Sequence, residues 1–219
     1  MQLKIGVICY PTVGGSGIIA TELGKMMARR GHTVHFIASG EPFRFEQTEP
    51  RLYFHEVKME HYAVFKYPPY DIALANKIAH VIQQEQLDLL HVHYAVPHAV
   101  SATLGKDMAQ SSIPMITTLH GTDVTVLGRD ARLKDTVRYG IEKSTAVTAV
   151  SEALRKETEH LIEPNCSIET IYNFVDETEY YEDHTEEEKL RKRLGFSKDD
   201  KVCIHIANFR RVKRTDYII

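Results

Sequence analysis

Short aliphatic runs alternate with amphipathic stretches over the first 171 residues. Leu3 to Cys9 is an aliphatic run closed by Tyr10-Pro11, the signature of a strand buried on both faces. A small-residue loop follows, Gly14-Gly15-Ser16-Gly17. Ile18 to Arg30 then has helical spacing, with Ile19, Leu23, Met26 and Met27 on one face. Arg29 and Arg30 suit a helix C-terminus, and Gly31 suits the position just beyond it. Thr33 to Ala38 reads as a second strand. Strand, glycine loop, helix, glycine stop and strand make a βαβ unit with a right-handed crossover.

The pattern then repeats. Strands are expected at 52–57, 87–93, 115–119, 146–150 and 168–171. Helices are expected at 71–84, 97–109, 131–143 and 152–161, the last capped by Ser151 with Glu152 in its first turn. Such alternation predicts an α/β protein with a doubly wound parallel sheet. After Ile171 the chain turns acidic and polar. A charged helix is expected over 186–194, ending at Gly195, then a fresh strand from Val202 to Ala207 and a basic loop, Arg210 to Arg214. The expected organisation is a complete first domain over 1–171, a connector over 172–185, and the start of a second α/β domain over 186–219.

Composition narrows the function. With 219 residues, 43% hydrophobic and 26% charged, the chain reads as a soluble globular protein with a sizeable core. A net charge of -3 provides no global positive field to collect phosphates, which speaks against a nucleic-acid partner. No stretch of about 18 apolar residues occurs, and the first apolar run is too short for a signal peptide or a membrane span. Cys9, Cys166 and Cys203 are far apart and form no CxxC, which fits a reduced, cytoplasmic protein.

Four segments could carry chemistry. The glycine loop sits where open α/β sheets bind ligands. Gly15-Ser16-Gly17-Ile18-Ile19-Ala20 fits G-x-G-x-x-A, but residues 10–13 separate it from the strand, whereas the dinucleotide fingerprint opens directly off it. A structural turn, a nicotinamide site, and a loop approaching a phosphate or an acceptor are the readings. His91 and His93 share a face of one strand, with His98 nearby. They could ligate a metal, but the segment's only carboxylate is Asp88, ahead of the strand, so packed or substrate-facing histidines are the alternative. His120-Gly121-Thr122-Asp123 follows a strand, where a histidine can bond a sugar hydroxyl. Arg210, Arg211, Lys213 and Arg214 suit a diphosphate, or simply a solvated face.

Together the segments KIGVICYPTVGGSGIIATELGKMMARRGHTVHFIA, LLHVHYAVP, TTLHGTDVT, TAVTAVSEAL, IYNFVD and IHIANFRRVKR resemble retaining glycosyltransferases of family 4, nearly end to end. The resemblance implies the GT-B architecture of two facing Rossmann-like domains, with this chain as the acceptor half and the first strand of the donor half. PTVGGSG, HVHYAVPHA, HGTDVT and ANFRRVKR are most similar to members that move N-acetylglucosamine from UDP-GlcNAc to the hydroxyl of L-malate in bacillithiol biosynthesis, keeping the α configuration.

In that frame His120, Arg210 and Lys213 would be catalytic. Ser16, Tyr94, Thr118 and Arg138 would bind the acceptor, with Arg138 facing a malate carboxylate. Gly14, Gly15, Gly17, Asn208, Arg210 and Lys213 would hold the donor diphosphate. Many relatives carry Arg at the position of Asn208, and Arg210 stands two residues on. The resemblance implies no metal and no cofactor beyond the UDP-sugar donor, since cations replace the ion and the leaving diphosphate takes the acceptor proton. It also places the family's paired glutamates beyond residue 219, so this chain is expected to be inactive by itself. A family 4 enzyme with another acceptor, an NAD-dependent oxidoreductase and a binding-only fragment are the alternatives. The oligomeric state is open, a homodimer included.

Overall fold

A computed structural model describes residues 1–46, 48–59, 67, 69–207 and 213–218. The chain divides into two compact units, Met1–Phe174 and Val175–Ile219.

The first unit is one parallel sheet. Its strands are β1 (Lys4–Ile8), β2 (Thr33–Ala38), β3 (Leu52–Glu56), β4 (Leu89–His93), β5 (Met115–Leu119), β6 (Ala146–Ala149) and β7 (Ile168–Thr170). They lie in the order β3-β2-β1-β4-β5-β6-β7, so the chain winds one way from β1 and then back across it. The Rossmann-like, doubly wound α/β fold expected from the alternation is the fold found.

The helices α1 (Gly15–Arg29), α2 (Tyr70–Glu85), α3 (Val100–Met108), α4 (Lys134–Glu142) and α5 (Glu152–Ile162) cover the sheet. Strand alternation decides which core each residue enters. Val34, Phe36, Ile5, Val7 and Leu52 pack with Ala20 and Ala28 of α1. Ile37, Ile8, Leu90 and Val92 pack with Leu74, Ile78 and Ile82 of α2 on the opposite face. Leu119, Val147 and Ala149 continue that second face under Val137 and Ile141 of α4 and Leu154 and Ile162 of α5.

The helix ends follow local chemistry. Gly31 takes φ +95° just past α1, where a side chain would be strained. Ser151 Oγ accepts the Leu154 N–H at 3.2 Å, capping α5. Three starts differ from expectation, α4 opening at Lys134 rather than residue 131. α1 begins at Gly15, so its glycines form the first helical turn rather than a loop. The stretch after β4 opens with a wide π turn over Ala95–Ala99 before α3.

The second unit holds α6 (His184–Leu194), capped by Asp183 Oδ1, which accepts from the Thr185 and Glu186 N–H groups. Gly195 ends it with φ +79°. The strand expected over 202–207 does not form: residues 201–207 carry no regular secondary structure, and Ile204 and Ile206 are exposed. A strand is stable only when its N–H and C=O groups are paired, and here the segment stands without a ladder.

Candidate active site

The candidate residues gather at the C-terminal ends of β1, β4 and β5, the edge where open α/β sheets bind ligands. Parallel register aligns His93 of β4 with Thr118 of β5 and Thr118 with Thr148 of β6. Thr118 is buried, and its Oγ1 lies 2.9 Å from His91 Nε2 and 2.8 Å from Thr148 Oγ1. His91, His93 and His120 stack ring on ring, with centroids 4.6 and 5.1 Å apart. Ile19 and Leu23 of α1 close a cavity of about 330 Å³ over His91, His93, Thr118 and Thr148.

The central contact is His93 Nδ1 to His120 Nε2, 2.8 Å. Burial holds His120 and His91 down at about 4, and His93 is lowered well below the ordinary imidazole value. All three are therefore neutral at pH 7. His98 Nδ1 lies 2.6 Å from the His93 carbonyl oxygen, so that nitrogen carries the proton and donates. Among the described residues, His93 Nε2 is buried without a protein partner. A buried N–H is orphaned more rarely than an acceptor. That favours the His93 proton on Nδ1, donating to His120 Nε2 and leaving the His120 proton on Nδ1.

Two loops are locked around this pair. Buried Asp123 accepts the N–H groups of Ala95 at 3.3 Å, His120 at 3.2 Å and Gly121 at 2.9 Å. It thus ties the turn after β4 to the turn after β5. Burial raises its carboxyl above the usual value, and these N–H donors pull the other way. Gly121 sits at φ +114°, a conformation only glycine adopts freely. Tyr94 has φ +86°, a strained value for a bulky residue. Its ring packs against Tyr10 at 5.4 Å and against His120 at 5.4 Å.

The glycine segment presents backbone. Gly14 is the extended residue preceding α1, with no side-chain cap. The N–H groups of Gly15, Ser16 and Gly17 open the helix and have no intrahelical carbonyl to meet, an arrangement suited to an anion. A side chain at Gly17 would approach Thr12 O at 2.7 Å and Tyr10 O at 2.8 Å, so this glycine lets α1 pack on its own loop. At Gly15 a side chain would meet nothing within 4 Å.

The structure therefore brings His120, Tyr94 and Thr118 together. Arg138 stands elsewhere: in α4, its Nε donates to Ile162 O at 2.8 Å and its Nη1 pairs with Asp135 at 3.2 Å. Lys213 is exposed in the second unit, while Asn208 and Arg210 lie outside the described residues. Tyr10, Thr148 and the His93–His120 contact were not anticipated. The threonine row follows from inter-strand register, which no local stretch of sequence encodes.

A sequence profile described as Glycosyltransferase Family 4 matches residues 13–179. N-acetyl-alpha-D-glucosaminyl L-malate synthase of Bacillus anthracis is 55% identical over 220 residues, covering 100% of this chain and 57% of that protein. Among solved structures, a glycosyltransferase from Rickettsia africae superposes with a TM-score of 0.68 at 20% identity, covering 90% of this chain and 51% of the other. Anabaena Alr3699/HepE in complex with UDP-glucose superposes with a TM-score of 0.65 at 16% identity, covering 88% and 50%. The chain thus spans little more than half the length of these relatives.

Proposed function

The chain belongs to glycosyltransferase family 4, and from that premise we propose that the full-length protein moves N-acetylglucosamine from UDP-GlcNAc to the hydroxyl of L-malate with retention at the anomeric carbon. The observation that carries this reading is 55% identity along the whole chain to a protein named for that reaction. The first unit would serve as the acceptor-binding half of a GT-B enzyme.

The site chemistry fits sugar transfer. Neutral His120, with its proton on Nδ1, would donate a hydrogen bond to a hydroxyl of the donor sugar without needing to ionise. Thr118, in the cavity lining, and Tyr94, beside His120, would bind the acceptor. The first-turn N–H groups of α1 at Gly15 and Gly17 would lie against the diphosphate, with Gly14 leading in, and Ser16 between them would bind the acceptor. Arg210 and Lys213, with Asn208 close by in sequence, would stabilise the leaving UDP. The buried histidines are too weakly basic to act as the general base at pH 7. The leaving diphosphate would take the acceptor proton while the new bond forms on the same face. Arg138 would keep Nε on the Ile162 carbonyl and offer its remaining guanidinium N–H groups to a malate carboxylate.

The reaction as proposed needs no metal ion and no cofactor besides the donor. No described helix is long and apolar enough to cross a membrane, and a cytoplasmic location is part of the proposal. The test is UDP release by the full-length protein with UDP-GlcNAc and a panel of acceptors. L-malate should give the highest kcat/KM. A clear preference for a sugar or an inositol phosphate would replace malate with another family 4 acceptor.

A further inference from the structure

A second group of histidines converges on the face of the sheet covered by α2. His35 lies in β2, two residues before Ile37 of the α2 core, and is buried. His55 lies in β3, on the same face of that edge strand as Tyr53, whose ring stacks on His35 with centroids 5.0 Å apart. His35 Nδ1 and His55 Nε2 are 2.9 Å apart. Glu85, the last residue of α2, brings its carboxylate to them, and one ligand atom from each residue lies within 4.8 Å of the others.

We propose that His35, His55 and Glu85 form a binding site for a divalent metal ion of the zinc class, pinning the last turn of α2 to β2 and β3. Two imidazole nitrogens and one carboxylate are a ligand set that zinc accepts, with water in the fourth position. Metal–ligand bonds of about 2.0–2.2 Å put tetrahedral donor atoms about 3.4 Å apart. The two nitrogens need to part by only about half an ångström to reach that spacing.

The surroundings supply what the ligands need. One of the two facing nitrogens carries the proton of the 2.9 Å contact, and moving that proton to the other nitrogen of its ring leaves both lone pairs facing the ion. The ion would sit at the negative end of α2, where a cation is favoured. Glu85 acts on both histidines in favour of positive charge, while Lys4 beside His35 and Lys77 beside His55 oppose it. The Lys4 ammonium is itself tied to the Glu85 carbonyl oxygen at 2.9 Å. None of the three residues belongs to the His91–His93–His120 stack, so the ion would be structural and the transfer reaction would not pass through it.

The test is metal titration of the whole chain after exhaustive chelation, with zinc(II) followed by calorimetry and cobalt(II) by its visible d–d absorption. One equivalent should bind, cobalt should show the intense bands of four-coordination, and saturating zinc should raise the thermal midpoint by about 5–10 °C. His55→Ala and Glu85→Gln, each checked for native circular dichroism, should weaken zinc by at least about tenfold and abolish the cobalt bands. His35→Gln serves as a third variant, since its site is buried and folding must be confirmed first. Absence of binding to the folded wild-type chain would overturn the proposal. So would unchanged binding in the folded His55→Ala and Glu85→Gln variants, which would place the metal on other histidines.

Discussion

His93 is buried beneath the cavity, and its contact with His120 bears on what His120 can offer. Its Nδ1 meets His120 Nε2 at 2.8 Å, and the ring is fully buried between β4 and the turn after β5. If its role is to fix the His120 tautomer, His93→Leu should lower kcat about tenfold with little change in KM for UDP-GlcNAc. His93→Asn, whose amide can donate from near the Nδ1 position, should restore most of that loss. A purely packing role would give the reverse order, because Leu fills the site better than Asn. His120→Ala should cost more, about 100-fold in kcat, as expected for a donor bonded to the transition state. Steady-state kinetics on the three variants separates these outcomes.

At the scale of elements, the start of α1 offers a matched pair. Gly17→Ala puts a methyl within 2.8 Å of two backbone carbonyl oxygens, which cannot swing aside as a side chain would. It should destabilise the chain by about 1–3 kcal/mol in urea unfolding. Gly15→Ala points into open space and should leave stability within about 0.5 kcal/mol of wild type. Any rise in KM for UDP-GlcNAc in Gly15→Ala then reports the approach of the ligand rather than damage to the fold. The same helix shows what sequence reading can and cannot reach. The seven strands of the sheet were legible because each is a short apolar run closed by a turn signal. The start of α1 was read three residues late, because glycines suggest a loop when they are in fact a first turn packed on carbonyls. Residues 202–207 have a strand's composition but no ladder, and pairing is a non-local property. Likewise His120 was legible from its place after a strand, and Tyr94 and Thr118 came only from the family resemblance, whereas the row His93–Thr118–Thr148 depends on register across three strands.

Across the whole molecule, buried neutral histidines link stability to pH. His91, His98 and His120 titrate at about 4 in the fold, against about 6.5 in an unfolded chain. Between those values the unfolded chain binds protons that the fold does not. Stability is therefore full above about pH 6.5 and is lost as the pH falls toward 4. For fully buried His98 alone this amounts to roughly 3 kcal/mol across the window. The urea midpoint should be flat from pH 7 to 8 and fall steadily below 6.5; a midpoint unchanged down to pH 4.5 would mean that these rings are not held neutral by burial. The two units divide the chemistry unevenly. The histidines, threonines and α1 first-turn amides of the candidate site all belong to the first, and Lys213, proposed to stabilise the leaving UDP, belongs to the second. The most direct measurement is proton NMR of the product formed by the full-length protein from UDP-GlcNAc and L-malate. The account predicts an N-acetylglucosaminyl malate whose anomeric proton has the small coupling of an α linkage, formed in step with UDP. A β-linked product, or UDP release independent of malate, would contradict it.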